Sequence, residues 1–373
     1  MIRVLTSSLS KAMPVRLPLT ALPLPPPPPP HRSYSFSSSS SSTSVRIRVR
    51  NWLLAGTAAV GAVYAVSEYL SVFPSEAKSH LRRGLFHSKY APIKNLPLAL
   101  ANFRAALGEL QSRERAESEP EVIGVRYLIA ETAENLQLWS DAANEYSIIF
   151  EQLAGRLDRE SRRKGVELAS RIGGIYLDNL HDITTSEKFL SFAAKSALGW
   201  IPDQCSTTSD LLSCPGTFPT NLDSAPSIVD ELTTATILAN LGALYQSSHR
   251  PDLALAIYTK SLTFLSTTTT NPCQSVTLHN NIADCYTHLS PPDYPSARNY
   301  LLVSKQLADS TCPELSPTVI HNLASISESM FLKTKNPDYR NQATELYQSL
   351  LQSSENSVSE LAKEGLIRLT KIK

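Results

Sequence analysis

This sequence lacks the motifs that carry most enzymatic chemistry. There is no G-x-S-x-G, H-E-x-x-H, Walker loop or G-x-G-x-x-G, and the eight histidines show no ligand spacing. The chain therefore reads as a non-enzyme that holds neither cofactor nor metal. Cysteine is scarce. Cys205, Cys214, Cys273, Cys285 and Cys312 include no C-x-x-C, and their spacing fits neither a disulfide framework nor a zinc site. No N-x-S/T acceptor occurs, which argues against a secreted or lumenal protein.

Acidic residues are absent from positions 1–67, which hold seven Lys or Arg; the remainder carries 28 basic against 34 acidic residues. A basic leader thus precedes an acidic body. That body has no Lys/Arg cluster interleaved with aromatics, so nucleic acid is excluded as a partner. Arg3, Lys11, Arg16, Arg32, Arg46, Arg48 and Arg50 lie among hydroxyls and scattered apolar residues, the composition of a mitochondrial transit peptide over residues 1–50. Within it, Pro25 to Pro30 disfavours helix and Ser37 to Ser44 is low-complexity. Arg32-Ser33-Tyr34-Ser35 resembles a processing-peptidase site, with the cut near Tyr34. A rival use of the proline run, binding an SH3-like domain, would fall in the part removed.

Residues 51–73 form one long hydrophobic run, apolar from Trp52 to Val66 apart from Thr57 and continuing through Tyr69, Leu70, Val72 and Phe73. A helix of that length spans about 33 Å, which predicts a single transmembrane helix. A transit peptide followed by one span is the usual arrangement for the mitochondrial inner membrane with the C-terminal body in the intermembrane space. Charge counting leaves orientation open, because Lys78, Arg82, Arg83 and Lys89 follow the run as closely as three arginines precede it.

Beyond residue 75 the periodicity is helical throughout and no strand is convincing. Leu241-Gly242, Tyr245, Ala254, Tyr258 and Ser261 match the spacing of the tetratricopeptide skeleton. Gly242 leaves room where the second helix of a hairpin crosses the first, and Ala254 lets the two backbones approach. Further copies read Ile282-Ala283, Tyr286, Ala297, Leu301 and Ser304, then Leu323-Ala324, Ala343, Tyr347 and Leu350. Upstream stand Ile129-Ala130, Ala133, Ala142, Tyr146 and Ile149, a weaker copy around Ile172-Gly173, Tyr176, Phe189 and Phe192, and a first hairpin at Tyr90, Ala99, Phe103 and Ala106. The fold class is all-α, a tetratricopeptide-like solenoid of helical hairpins with one N-terminal transmembrane helix. A first block of repeats at 76–199, an insertion loop at 200–232, a second block at 233–355 and a capping helix at 356–373 account for the body. Ser357 and Glu360 suggest a capping box for that last helix.

Cys273 and Cys285 fall on one helix about 18 Å apart, beyond disulfide reach. Cys273 and Cys312 sit alike, each beside a proline before the first helix of consecutive hairpins. The reading taken is reduced thiols, with a bridge between these two as the alternative in an oxidising compartment.

Asn240, Asn281 and Asn322 each precede the packing Leu or Ile of a first helix at intervals of 41 residues. First helices line the inner groove of such arrays, and a primary amide donates and accepts, so it can pair with the backbone of an extended peptide. The alternative is that each amide ties one hairpin to the next. His279 and His321, at neighbouring positions on successive first helices, are expected to line the groove or the core rather than to bind metal.

The long period and the string Asn280-Asn281-Ile282-Ala283 resemble the repeats of kinesin light chains and their mitochondrial relatives. With the leader and single span, the plan over residues 45 to 373 is similar to the fungal inner-membrane tetratricopeptide adaptor subunit of the i-AAA protease. That resemblance rests on Ala99 to Leu107, Asn240 to Ala256 and Cys273 to Ala283. It implies a receptor that binds misfolded or unassembled membrane proteins and presents them to the protease. The Pro-rich turn at 291–295 and the insertion after Gly199 depart from that plan. A second hypothesis is an assembly factor for a respiratory complex, and a third, a hydrolase built into the insertion.

Overall fold

The computed structural model describes residues 72–371, apart from 92, 155, 157, 200, 203–215, 218–227, 266–271 and 353–355. The predicted leader, residues 51–71 of the predicted span, and Cys205 and Cys214 lie outside the described residues. Among the described residues, no helix is long and apolar enough to cross a membrane. The chain packs as two units, divided between Leu136 and Gln137.

The first unit contains α1 (Ser75–Leu85), a π-helical turn (Phe86–Tyr90), α2 (Leu96–Gln111) and α3 (Pro120–Asn135). Asn95 caps α2 by accepting the Leu98 N–H. Its core joins Phe73, Ala77 and Leu81 to Phe103, Leu110, Val125 and Ile129. Two expectations change here. Phe73, assigned to the span, is instead buried in the first hairpin's core. Tyr90 is more than half exposed, and the hairpin closes through Gly84, where an added Cβ would sit 2.5 Å from the Phe103 ring.

The second unit runs through α4 (Trp139–Ala154), α5 (Arg159–Asp178), α6 (Ile183–Ala197), α7 (Glu231–Ser247), α8 (Pro251–Leu265), α9 (Pro272–His288), α10 (Tyr294–Thr311), α11 (Ser316–Thr334), α12 (Pro337–Leu350) and α13 (Asn356–Lys371). Asp158, Asp182, Asp230 and Asp293 cap α5, α6, α7 and α10, each carboxylate accepting an N–H of the first turn. His181, His249 and Lys335 take the left-handed conformation that closes the turns α5–α6, α7–α8 and α11–α12. Consecutive helices pair as antiparallel hairpins α5–α6, α7–α8, α9–α10 and α11–α12, with α13 closing the array.

The repeat skeleton marks the core. Ala254, Tyr258, Ala297, Ala343 and Tyr347 are fully buried. An added Cβ at Gly242 would lie 2.6 Å from the Tyr258 ring, at Gly173 2.6 Å from Leu190, and at Gly365 2.5 Å from the Tyr347 ring. Glycine is therefore required where a first helix, or the closing helix α13, lies against a large side chain of a second helix. Ser261 and Ser304 donate from α8 and α10 to the Ala235 and Val276 carbonyls of their partner helices, at 2.7 and 3.0 Å. A small hydroxyl thus replaces the skeleton's alanine and satisfies a carbonyl inside the hairpin.

The insertion holds an antiparallel ladder pairing Ile201 with Thr217 and Pro202 with Gly216, where no strand was expected. α6 packs directly on α7, so the insertion interrupts the sequence and not the stack. At the C-terminus Ser357 lies within α13 rather than before it, and Glu360 pairs with Lys363 at 2.6 Å, so the predicted capping box does not form.

Candidate protein-binding surface

The first helices α7, α9 and α11 carry the predicted site. Two of the three junctions that follow them use a tyrosine-centred relay. In one, the buried Tyr258 hydroxyl of α8 donates to Gln246 Oε1 of α7 at 2.8 Å, and the Gln246 Nε2 donates to Asp284 of α9. In another, the buried Tyr347 hydroxyl of α12 donates to Glu328 of α11 at 2.9 Å, and Arg368 of α13 grips both Glu328 oxygens at 2.9 Å. Gln246 and Glu328 stand two repeats of 41 apart. The position between them is Thr287, and the tyrosine position of that hairpin is Leu301, so the middle repeat has no such relay.

The middle junction is closed differently. Cys273 and Cys312 form a disulfide with a Cα–Cα separation of 5.6 Å, linking α9 to the residue that ends α10 and leads into α11. This overturns the reduced-thiol reading. Spacing in sequence could show that the two cysteines occupy like positions, but not that the hairpin brings them within bonding reach. Glu314 lies beside the pair, and its carboxylate and both sulfurs fall within 4.8 Å of one another. In the bridged state neither sulfur is a thiolate, so the group offers a metal one carboxylate. Cys285, alone and buried, has its thiol pushed up to about 12 by desolvation and is inert.

The asparagines fall into this frame. Asn322 Nδ2 donates to Asn280 Oδ1 at 2.8 Å, joining α11 to α9. Asn281, half-buried, interacts with the Tyr258 hydroxyl of α8. Asn240 is half-buried on α7. A primary amide has two N–H donors and a carbonyl with two lone pairs, so one bond to a neighbouring helix leaves capacity toward a ligand. Asn280, which sequence reasoning passed over as a site residue, is the buried partner that holds Asn322.

A second row escaped the sequence reading. Thr236, Thr277 and Thr318 recur at the same interval of 41, each four residues before an asparagine of the first row, so Thr and Asn share a helix face. All six side chains are half-buried. Thr236 Oγ1 also accepts from Gln274 Nε2 at 3.0 Å, a further tie between α7 and α9. The two rows are polar and uncharged. Thr236 and Thr277 donate their hydroxyl hydrogens to the Leu232 and Cys273 carbonyls of their own helices, at 2.9 and 3.1 Å. These two hydroxyls therefore offer a peptide N–H an acceptor while the asparagine amides offer both roles, without the desolvation cost of a charge.

His279 and His321 lie against aromatic rings of their own hairpins. The His279 ring is 5.9 Å from Tyr300 and His321 is 5.9 Å from Tyr347. His279 Nδ1 is 2.8 Å from the Ser275 carbonyl. Burial lowers the pKa of His321, which therefore favours the neutral ring. His279 precedes Ile282 by three residues, the place of the aromatic in the repeat skeleton, and that register was the available signal for a packing role.

No protein-family model and no curated protein matches the chain. Solved structures that resemble it include proteins described as having TPR or TPR-like repeats. The C-terminal part of a TPR repeat-containing protein from Cytophaga hutchinsonii superposes with a TM-score of 0.48 at 12% identity, covering 86% of this chain and 98% of the other. BtubC (BKLC) from P. vanneervenii gives 0.46 at 14% identity, with coverages of 70% and 95%. The nearly identical TPR-like repeats of a putative kinesin light chain from Podospora anserina give 0.41 at 10% identity, with coverages of 64% and 95%. All three superpose loosely, so the repeat assignment rests on the contacts described above. The chain is an all-α array of tetratricopeptide-like hairpins.

Proposed function

We propose that the chain is a membrane-anchored adaptor that holds other proteins in an extended conformation along α7, α9 and α11. The observation that carries the reading is the double row of Thr and Asn at a constant interval of 41 residues on three successive first helices. Neighbouring repeats share ties that differ from junction to junction, yet this face keeps its residue types. Thr236, Asn281 and Asn322 each also contact a neighbouring helix, but those contacts differ from one to the next while the residue types of the face stay the same.

The basic leader and the apolar run at 51–73 support placement in the mitochondrial inner membrane with the body in the intermembrane space. The disulfide is consistent with that oxidising side. In this reading the clients are misfolded or unassembled membrane proteins, and the partner that receives them is the i-AAA protease. The resemblance stated above is the support for that partner.

Purification of the solubilised full chain from mitochondria tests the reading. Recovery of an AAA protease, enriched when its proteolytic site is inactivated, supports it. Recovery of respiratory-complex subunits without protease would move the function to complex assembly. Protease protection in mitoplasts tests the placement: the body is expected to be digested once the outer membrane is opened, and full protection would put it in the matrix.

A further inference from the structure

From Ala77 to Gly108 the sequence contains no acidic residue and six Lys or Arg, whereas residues 109–373 hold 22 basic against 32 acidic. The positive charge of the folded body is therefore concentrated in its first hairpin. The structure places it on a particular surface. Arg82, Phe86 and Tyr90 succeed one another at intervals of four along α1 and the π-helical turn, and Arg83 and Lys89 flank them. Arg82, Arg83, Lys89 and Lys94 are exposed. So are large apolar side chains between them: Phe86 is 51%, Tyr90 58% and Ile93 86% exposed. Lys89 has one acidic neighbour, Glu131, at 4.0 Å.

The geometry points to an anionic phospholipid bilayer as the partner of this surface. Basic side chains attract acidic headgroups at roughly 1 kcal/mol each, and aromatic and aliphatic side chains beside them enter the headgroup boundary. A nucleic acid or an acidic protein would match the charge but leave Ile93 and Phe86 without a use. The location agrees with the sequence, because the apolar run that precedes Phe73 ends just before α1 begins, so a span there would hold this surface at the membrane. The inference rests on the anchor reading for that proximity alone. Its consequence is that the first hairpin lies on the bilayer instead of hanging from a free tether.

The test uses the full chain with phosphatidylcholine vesicles and with the same vesicles doped with phosphatidylserine. Flotation reports attachment, and hydrogen–deuterium exchange of peptides covering residues 82–94 reports contact. The surface predicts slower exchange on the doped vesicles, an effect lost in R82E/R83E and in F86S/Y90S, whose unchanged melting shows that both remain folded. Flotation with both vesicle types but equal exchange on each rejects the surface and keeps the anchor. Flotation with doped vesicles alone keeps the surface and rejects the anchor, and R82E/R83E then lowers partitioning at least about tenfold. Flotation with neither rejects both. Protection by soluble polyaspartate and not by vesicles overturns the proposal in favour of an acidic protein.

Discussion

Asn322 donates its amide hydrogen to Asn280 at 2.8 Å, across the junction between α11 and α9 that the tyrosine relay leaves open. One amide of the repeating row therefore has a structural bond, and the partner that makes it lies outside the row. Replacing Asn280 by Ala removes this tie while leaving every residue of the Thr and Asn rows in place. The expected cost is about 1 kcal/mol, or a fall in Tm of about 2–4 °C, measured by calorimetry. A double-mutant cycle with Asn322→Ala should recover most of that as coupling.

The glycines that face second helices should not tolerate a methyl group. Gly242→Ala brings a Cβ to 2.6 Å from the Tyr258 ring, and Gly365→Ala brings one to 2.5 Å from Tyr347. Each is expected to cost about 1–3 kcal/mol through overpacking. Gly174→Ala, inside α5 with nothing within 4 Å of the added carbon, should instead stabilise by roughly 0.5–1 kcal/mol. Thermal melts of the three variants, compared at one pH, decide the matter.

The two sets of glycines show how much of the fold was legible. Gly242 and Tyr258 lie at fixed offsets in a skeleton that repeats, so their contact could be read from spacing. Gly84 belongs to a hairpin whose first helix is shorter and ends in a π-helical turn, and no skeleton copy marks it. Phe73 was assigned to the span because an apolar residue reads alike for lipid and for a protein core. The disulfide and the Asn280 bond join residues 39 and 42 positions apart. The bridge depends on where the antiparallel return of α10 sets Cys312 against the start of α9, and the Asn280 bond on how two hairpins abut; sequence spacing specifies neither distance. The Asn row was visible by its period. The Thr row had the same period and was missed because threonine is common in this chain.

Reducing the Cys273–Cys312 bridge should loosen the α9–α11 junction. The bridge closes a loop over a separation of 39 residues, for which chain entropy gives roughly 4 kcal/mol as an upper value. Cys273→Ser is expected to lower Tm and to speed amide exchange around Asn280 and Asn322. Non-reducing peptide mapping of protein isolated from mitochondria should find the two cysteines linked. Free thiols at both would argue against the oxidising side of the inner membrane.

Burial raises the pKa of Asp284, and the same cause acts on Asp178 and Glu167. A raised value in the fold means that the protonated acid is the form the fold prefers. That contribution is complete below the ordinary aspartate range near 3.9 and is lost as pH rises through the raised folded value. Asp284→Asn, which still offers Gln246 an acceptor, should therefore match the parent below about pH 3.9 and exceed it at neutral pH by about 1 kcal/mol. Paired melts across that range check the sign. A variant less stable at neutral pH would mean that the charged form is favoured by Gln246 and His288.

Arg368→Leu should release α13 from the end of the array. Glu328 is buried, and Arg368 supplies both of its charge-assisted bonds to α13. The expected loss is about 2 kcal/mol, with faster exchange confined to α12 and α13.

The central claim is that the Thr and Asn face of α7, α9 and α11 holds extended polypeptide. It is tested most directly by titrating a permanently unfolded model protein into the parent chain, N240A/N281A/N322A and N280A, each checked by calorimetry. The account predicts a cooperative melt in all three, affinity reduced about tenfold or more in the triple variant, and affinity retained in N280A. Equal binding by the triple variant, or equal loss in N280A, would show that the asparagines serve only to join one hairpin to the next.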